Sequence, residues 1–438
     1  MTRIAFISPS GWGNLGDAAI QDSFVENTRE RLADDVEITG ITLNPTDTER
    51  RHRVPAFPME ATSPGLLRRN RSTGSDSPPD PTSTPGSHHR VRRSRVLSPV
   101  RAAWQPVRRL GREAYHTVAA FFIARDADLL VISGGGQLDQ FWGGVWAEPF
   151  ALAKWALVAR LAGTPLMTLS VGVGTVTSPL AKRFLRFVLA RSAYVSVRDS
   201  RSANIVSELM GGQPPPCVPD LAFGHPGGAL SLRPPPDDRT VVALSPIAYL
   251  DPAVWPESDH RRFTEYLDRM VDLTHHLTSR GHRIRMFVSS PADLGPARYI
   301  HARSAAGVEL VDTRTVDELF AVVDSSHVAV VSRLHCAILA HIRRVPTIAL
   351  SYDWKVDLEA ADIGLAAWTR PIDRFDPAEV ADMVDRAIAN RSDLVATIEE
   401  SYERMAGRVR RQYDEVLSSA MPTIRPSAPA PAAVAGRG

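Results

Sequence analysis

The chain has 438 residues, 44% hydrophobic and 23% charged, the profile of a globular protein long enough for two or three domains with their own cores. Its formal net charge of +2 gives no argument for nucleic acid as a partner, and two cysteines, Cys217 and Cys336, are too few for a disulfide framework or a cysteine-rich metal site. The opening MTRIAFISPSG lacks a signal-peptide pattern and no apolar run approaches the roughly 20 residues of a spanning helix, so a cytoplasmic location is expected.

Short apolar runs that read as fully buried strands alternate with helical patterns, the mark of parallel sheets in an α/β protein. In chain order they are 3–8, 36–43, 129–133, 165–171 and 194–197, then 241–245, 284–289, 308–311, 328–331 and 347–350. Between the two sets, PGGALSLRPPPDD (226–238) reads as a linker. This predicts two Rossmann-like domains facing each other, over 1–225 and 241–420, joined by a linker at 226–240. Residues 63–111 are rich in Ser, Pro and Arg and lack the apolar content to offset the entropy of ordering, so a flexible insertion is expected there. It is either a basic arm for the inner membrane surface, helped by Trp104 and AYHTVAAFFIA, or a disordered loop followed by a helix packed on the sheet. The tail 421–438 reads as disordered.

In open α/β sheets ligands bind beyond the carboxyl ends of the strands, so the residues following each strand are the ones to read. After the first strand, GWGNLGD satisfies G-x-G-x-x-G through Gly11, Gly13 and Gly16. It does not read as a nicotinamide site: Asn44 stands where an acidic ribose ligand belongs, and Asp17 would repel a pyrophosphate at the helix start. Asp17 suits a hydroxylated substrate, as hydrogen-bond acceptor or base; the alternative is a helix-capping carboxylate. Gly13 and Asn14 lie in the same loop. The third strand ends SGGGQLDQFWGG, where Gly134, Gly135 and Gly136 would open backbone N–H groups to a ligand and Trp142 would stack on a sugar, unless the glycines only relieve crowding. The fifth ends SVRDSRSA, with Arg198 and Asp199 before a helix that Ser202 is placed to cap; Arg198 reads either as a ligand-binding cation or as the partner of Asp199.

The stretch VAVVSRLHCAILAH (328–341) carries a strand into a helix through Arg333 and His335. With Ser332 as the cap, both fall in the first turn, where unpaired N–H groups and the helix dipole favour an anion. Arg333 adds a planar donor fork for carboxylate or phosphate, and His335 a proton donor once a dianion is bound. Cys336 does not make a Cys/His nucleophile, because adjacent helical residues do not face each other. Tyr352 and Lys355 in LSYDWKVD join the same rim, and lysine occurs in the chain only as Lys154, Lys182 and Lys355.

GWGNLGDAAI, SGGGQLDQFWG, SVGVG, SVRDSRS, VPDLAF and SRLHCAILAHIRRVPTIALSYDWK, in that order, resemble the polysaccharide pyruvyl transferase family from Ile4 to about Gly364, the insertion excepted. Ala18 and Ser200 stand where acidic residues are common in it. The resemblance implies a GT-B-like fold, phosphoenolpyruvate as donor, a sugar diol of a cell-surface glycan or lipid-linked saccharide as acceptor, a pyruvate ketal as product, and no metal or nucleotide cofactor. His335 would then donate a proton, Asp17 would receive one, and Arg333, Arg198, Lys355 and Tyr352 would meet the donor. A nucleotide-sugar glycosyltransferase and an inert glycan-binding protein on the same scaffold are the rival readings.

Overall fold

The computed structural model describes residues 1–32, 35–61, 98–229 and 239–420. The first sheet comprises β1 (Thr2–Ser8), β2 (Val36–Thr42), β3 (Ala56–Pro58), β4 (Leu129–Ser133), β5 (Leu166–Val171) and β6 (Ser192–Val197), in the order β3-β2-β1-β4-β5-β6. The second comprises β7 (Val241–Ser245), β8 (Arg283–Met286), β9 (Val308–Leu310), β10 (Val328–Val331), β11 (Thr347–Ser351) and β12 (Thr369–Pro371), in the order β12-β11-β10-β7-β8-β9. All pairings are parallel. Strands sealed by helices on both faces need apolar residues at every position, which is why β4, β5, β7 and β11 are buried throughout.

The helices are α1 (Leu15–Leu32), α2 (Pro45–His52), α3 (Ser98–Asp126), α4 (Glu148–Ala162), α5 (Pro179–Arg191) and α6 (Ser200–Met210) in the first half. The second half holds α7 (His260–Ser279), α8 (Leu294–Arg303), α9 (Val316–Asp324), α10 (Leu334–Ile342), α11 (Trp354–Asp362), α12 (Pro377–Ala389) and α13 (Arg391–Ala420). Both sheets reverse strand order at the same local point, between β1 and β4 and between β7 and β10, so each domain offers a ligand crevice at the carboxyl end of its first strand. The twin Rossmann-like reading is the observed fold. α13 runs back from the second domain to the first: Gln412 Nε2 donates to Ser170 Oγ at 3.0 Å, and Asp414 pairs with Arg31 Nε at 2.7 Å.

Two departures from the sequence reading concern weak local signals. The edge strands β3 and β12, three residues each, are too short to show a pattern of their own. Residues 98–111, read as insertion, are the first part of α3: Pro99 sits in the first helical turn, where its missing N–H costs nothing, and the Arg- and Ala-rich sequence that follows has good helix propensity. Residues 62–97, most of the expected linker (230–238) and the tail lie outside the described residues.

Candidate active site

The start of α1 is held from both domains. Asn14 caps it, its Oδ1 accepting the Gly16 amide at 3.0 Å while its Nδ2 donates to Asp17 Oδ2 at 2.9 Å. Asp17 is therefore not the cap. The Leu15 N–H donates to the Ser289 carbonyl of the second domain at 2.7 Å. A Cβ on Gly13 would lie 2.8 Å from Pro291 Cγ, and one on Gly16 would lie 2.3 Å from Cγ and Nδ1 of His335. The glycine loop thus clears space for the facing domain. Burial pushes the Asp17 carboxyl above its ordinary range; the positive charges of His335, Arg333 and Arg198 oppose the rise, and the negative charge of Asp220 adds to it.

Across the cleft, α10 begins one residue later than the sequence suggests. Arg333, not Ser332, is its N-cap residue, and no side chain caps the helix. Ser332 is buried one position too early to reach the amides of the first turn. The guanidinium of Arg333 closes on Asp293: Nη2 donates to Oδ1 at 2.8 Å and Nε to Oδ2. Asp293 is fully buried and also accepts the Ala248 amide at 2.9 Å. The expectation of a free donor fork is corrected here, since a carboxylate sealed from water requires a paired cation and takes that edge of Arg333. Burial alone would weaken the guanidinium as a base, but Asp293 outweighs it and keeps the charge in place. Among the described residues Nη1 makes no side-chain hydrogen bond of its own.

His335 and Arg198 converge on one carboxylate that the sequence reading did not assign. His335 Nε2 lies 3.5 Å from Asp220 Oδ2, and Arg198 Nη1 donates to the same oxygen at 3.3 Å. Asp220 Oδ1 accepts the Ala222 amide at 3.1 Å, which fixes the turn Leu221–Gly224. Burial raises the Asp220 carboxyl, yet the imidazole of His335 beside it, with the charge of Arg198, outweighs it and holds it at about 2. Arg198 is the partner of Asp199, whose Oδ2 lies 3.4 Å from its Nε, and its Nη1 also reaches Asp220. Asp199, not Ser202, caps α6, accepting the Ser202 amide at 2.7 Å; the Ser202 hydroxyl instead accepts the Val173 amide at 3.0 Å. Gly172 of SVGVG is required by this arrangement, because a Cβ there would lie 2.7 Å from the Arg198 guanidinium.

The remaining residues line the rim. Lys355 Nζ pairs with Asp353 Oδ2 at 3.3 Å, and Tyr352 packs edge-on against Trp255 at 5.7 Å. Trp142 projects from the first domain, 57% exposed, and meets the same Trp255 with ring centroids 5.7 Å apart. Gly134 and Gly135 hold left-handed backbone; a Cβ on Gly134 would press within 3.0 Å of Ile20, so this glycine relieves crowding, whereas Gly136 is exposed with nothing near it. Cys336 is buried against Ser245 and Ser289, and burial pushes its thiol up, away from nucleophilic use. On the first-domain side, burial also raises Asp139 and, well above the ordinary range, Glu148, which Asp139 and Asp17 push further. Among the described residues no three His, Cys, Asp or Glu side chains are grouped as metal ligands.

Asp220 and Asp293 are what sequence reasoning missed. Asp220 stands in VPDLAF and Asp293 in SSPADLG, just after β8; applying the carboxyl-end rule to every strand would have picked out the second. The assembled group is an imidazole, a carboxylate of raised pKa on the opposite domain, and two arginines fixed by buried carboxylates. Such a set can bind a polyanion and move protons at it.

A family model described as "Polysaccharide pyruvyl transferase" matches residues 14–353. No curated protein matches the chain. Among solved structures, a putative UDP-N-acetylglucosamine 2-epimerase from Listeria monocytogenes aligns with a TM-score of 0.57 at 10% identity, covering 97% of this chain and 98% of its own. The S. aureus MnaA–UDP co-structure gives 0.55 at 9%, covering 98% and 99%, and a glycosyltransferase from Rickettsia africae gives 0.53 at 9%, covering 96% and 98%. At these identities the structural likeness speaks for the fold alone.

Proposed function

Since the chain belongs to the polysaccharide pyruvyl transferase family, we propose that it transfers the pyruvyl group of phosphoenolpyruvate onto a sugar diol of a cell-surface glycan or its lipid-linked precursor, as a ketal, in the cytoplasm. The observation that carries this reading is the convergence of His335 and Arg198 on Asp220, with Asp17 opposite and the uncapped start of α10 alongside. Phosphoenolpyruvate is anionic at both ends, which suits two arginines and a helix N-terminus. In the proposed reaction the His335 imidazole gives its proton to the methylene carbon, and the cation formed at the adjacent carbon is captured by a first hydroxyl whose proton goes to Asp17. A second hydroxyl then displaces inorganic phosphate from that carbon and closes the ketal, its proton restoring the His335 imidazolium while the proton held by Asp17 leaves with the phosphate. Asp220 orients the imidazole, and Trp142 with Trp255 offers an aromatic wall for the sugar.

The rival is a nucleotide-sugar reaction, the chemistry of the UDP-N-acetylglucosamine 2-epimerases that share this fold. Thermal shift separates the two: phosphoenolpyruvate should raise the melting temperature and UDP-sugars should not. Phosphate release from phosphoenolpyruvate across a panel of glycan acceptors then tests turnover. Stabilisation by UDP-sugars alone would transfer the assignment to the rival, and sugar binding without phosphate release under any acceptor would leave an inert binding protein.

A further inference from the structure

α3 and α4 lie side by side on the outer face of the first sheet, tied by Lys154 Nζ to Glu113 at 2.6 Å and by Thr164 Oγ1 donating to the Ala124 carbonyl at 2.6 Å. Their inner faces are ordinary core: Ala120, Ala124, Leu152 and Trp155 are buried against the strands. Their outer faces are not ordinary surface. Tyr115, Val118 and Phe122 recur at three- and four-residue spacing along α3 and are 65%, 58% and 52% exposed, while Leu157 and Leu161 continue the patch on α4. Of the twelve large apolar side chains exposed among the described residues, eight lie on or next to α3, α4 and α5, so the patch is a concentration and not scatter.

The charges around it have one predominant sign. Arg108, Arg112 and Arg125 of α3 and Arg160 of α4 are exposed beside the apolar stripe, against Asp126. The stretch that leads into α3, residues 62–97, carries seven arginines and two aspartates. We infer that the outer face of α3 and α4 docks this protein onto a bilayer surface containing anionic lipid, with Tyr115, Val118, Phe122, Leu157 and Leu161 entering the headgroup boundary and the arginines meeting lipid phosphates. An amphipathic face of this kind lies in the interface plane, and each basic residue near an anionic leaflet strengthens the attraction. No helix among the described residues is long and apolar enough to cross a membrane, so the contact is peripheral. A second copy of the chain fits less well, because self-association would bring the same arginines together.

Docking is independent of the proposed chemistry, and the test keeps them apart. The full chain is co-sedimented with vesicles of phosphatidylglycerol and phosphatidylcholine mixed, and with phosphatidylcholine alone. Binding to the mixed vesicles should be about tenfold or more stronger and should fall as salt is raised to about 1 M, where screening shortens the reach of exposed charges to about 3 Å. Tyr115→Ser/Val118→Ser/Phe122→Ser should weaken vesicle binding about tenfold or more while phosphate release with a soluble acceptor stays unchanged. Should that variant fold poorly, Arg112→Glu/Arg125→Glu, at exposed positions, decides the matter by the same loss of binding. Absence of binding to the anionic vesicles, binding that neither variant weakens, or a dimer in solution that the apolar substitutions dissociate would overturn the inference.

Discussion

The start of α1 and the turn that carries Asp220 each present a carboxylate to the same buried site, and the protein treats the two in opposite ways. Asp220 is shared by His335 and Arg198 and stays ionised with its pKa held at about 2. Asp17 is only half-buried, and among the described residues no cation lies within ion-pair distance of it; the neutral amide of Asn14 donates to it, and the charge on Asp220 counts against its own. Burial alone would raise both. The difference shows that pairing geometry, not depth, decides which carboxylate keeps its charge and which holds its proton more tightly.

The sharpest way to probe this pairing is the imidazole itself. His335→Gln keeps a polar side chain of similar size but removes the titrating proton, so phosphate release should fall by roughly 10²-fold or more, the range of general acid catalysis, while phosphoenolpyruvate still raises the melting temperature. A folded variant with unchanged turnover would make the histidine structural.

Asp220→Asn retains an oxygen to cap the turn and deletes the charge. Because the folded-state pKa is below the ordinary 3.8, the wild-type carboxylate stabilises the fold above that value, and this contribution is lost as pH falls through about 2. The substitution should therefore cost on the order of 2 kcal/mol near neutral pH, with the gap to wild type closing from about pH 4 downward, as urea midpoints across pH will show. A pH-independent gap would mean that Asp220 acts through packing alone.

Gly16→Ala attacks the same imidazole from the other side. The added methyl would sit 2.3 Å from the ring, so the ring or the helix must shift, costing about 1–3 kcal/mol and lowering turnover without removing any chemical group. Wild-type stability and turnover in this variant would show that the contact yields freely.

Asp17→Asn should have the mildest effect on stability and the opposite sign. A carboxyl with a raised pKa holds its proton more tightly in the folded state, so its ionised form opposes folding at neutral pH and that penalty fades as pH falls through the raised value. The amide should make the protein more stable at pH 7, lower phosphate release about tenfold or more, and flatten the acid limb of the pH–rate profile. An acid limb unchanged in the variant would assign the base elsewhere.

The positions of the site were largely legible, and their partners were not. Asp17, Arg198, Arg333, His335 and Lys355 all follow strands at the carboxyl edge of a sheet, a place that periodicity and glycine punctuation reveal in one dimension. Whether a charged side chain there is free or occupied depends on residues distant in the chain: Arg333 meets Asp293 forty positions away, and His335 meets Asp220 on the other domain. Cap assignments at Ser332 and Ser202 missed by one and three residues: α6 is capped by the Asp199 side chain, while α10 starts at Arg333 with no side-chain cap, and helix ends are set within a residue or two by local backbone geometry.

The amino-acid sequence by itself determined the two parallel sheets, since buried strands demand unbroken apolar runs and crossover helices separate them at readable intervals. It also determined which chemical groups reach the cleft. The tertiary structure alone decided their electrostatic state: it buried Asp293 against Arg333, set Asp220 between an imidazole and a guanidinium, and left Asp17 without a direct cation. The physical reason is that charge stabilisation falls off over a few ångströms and depends on exclusion of water, and both are properties of three-dimensional neighbours.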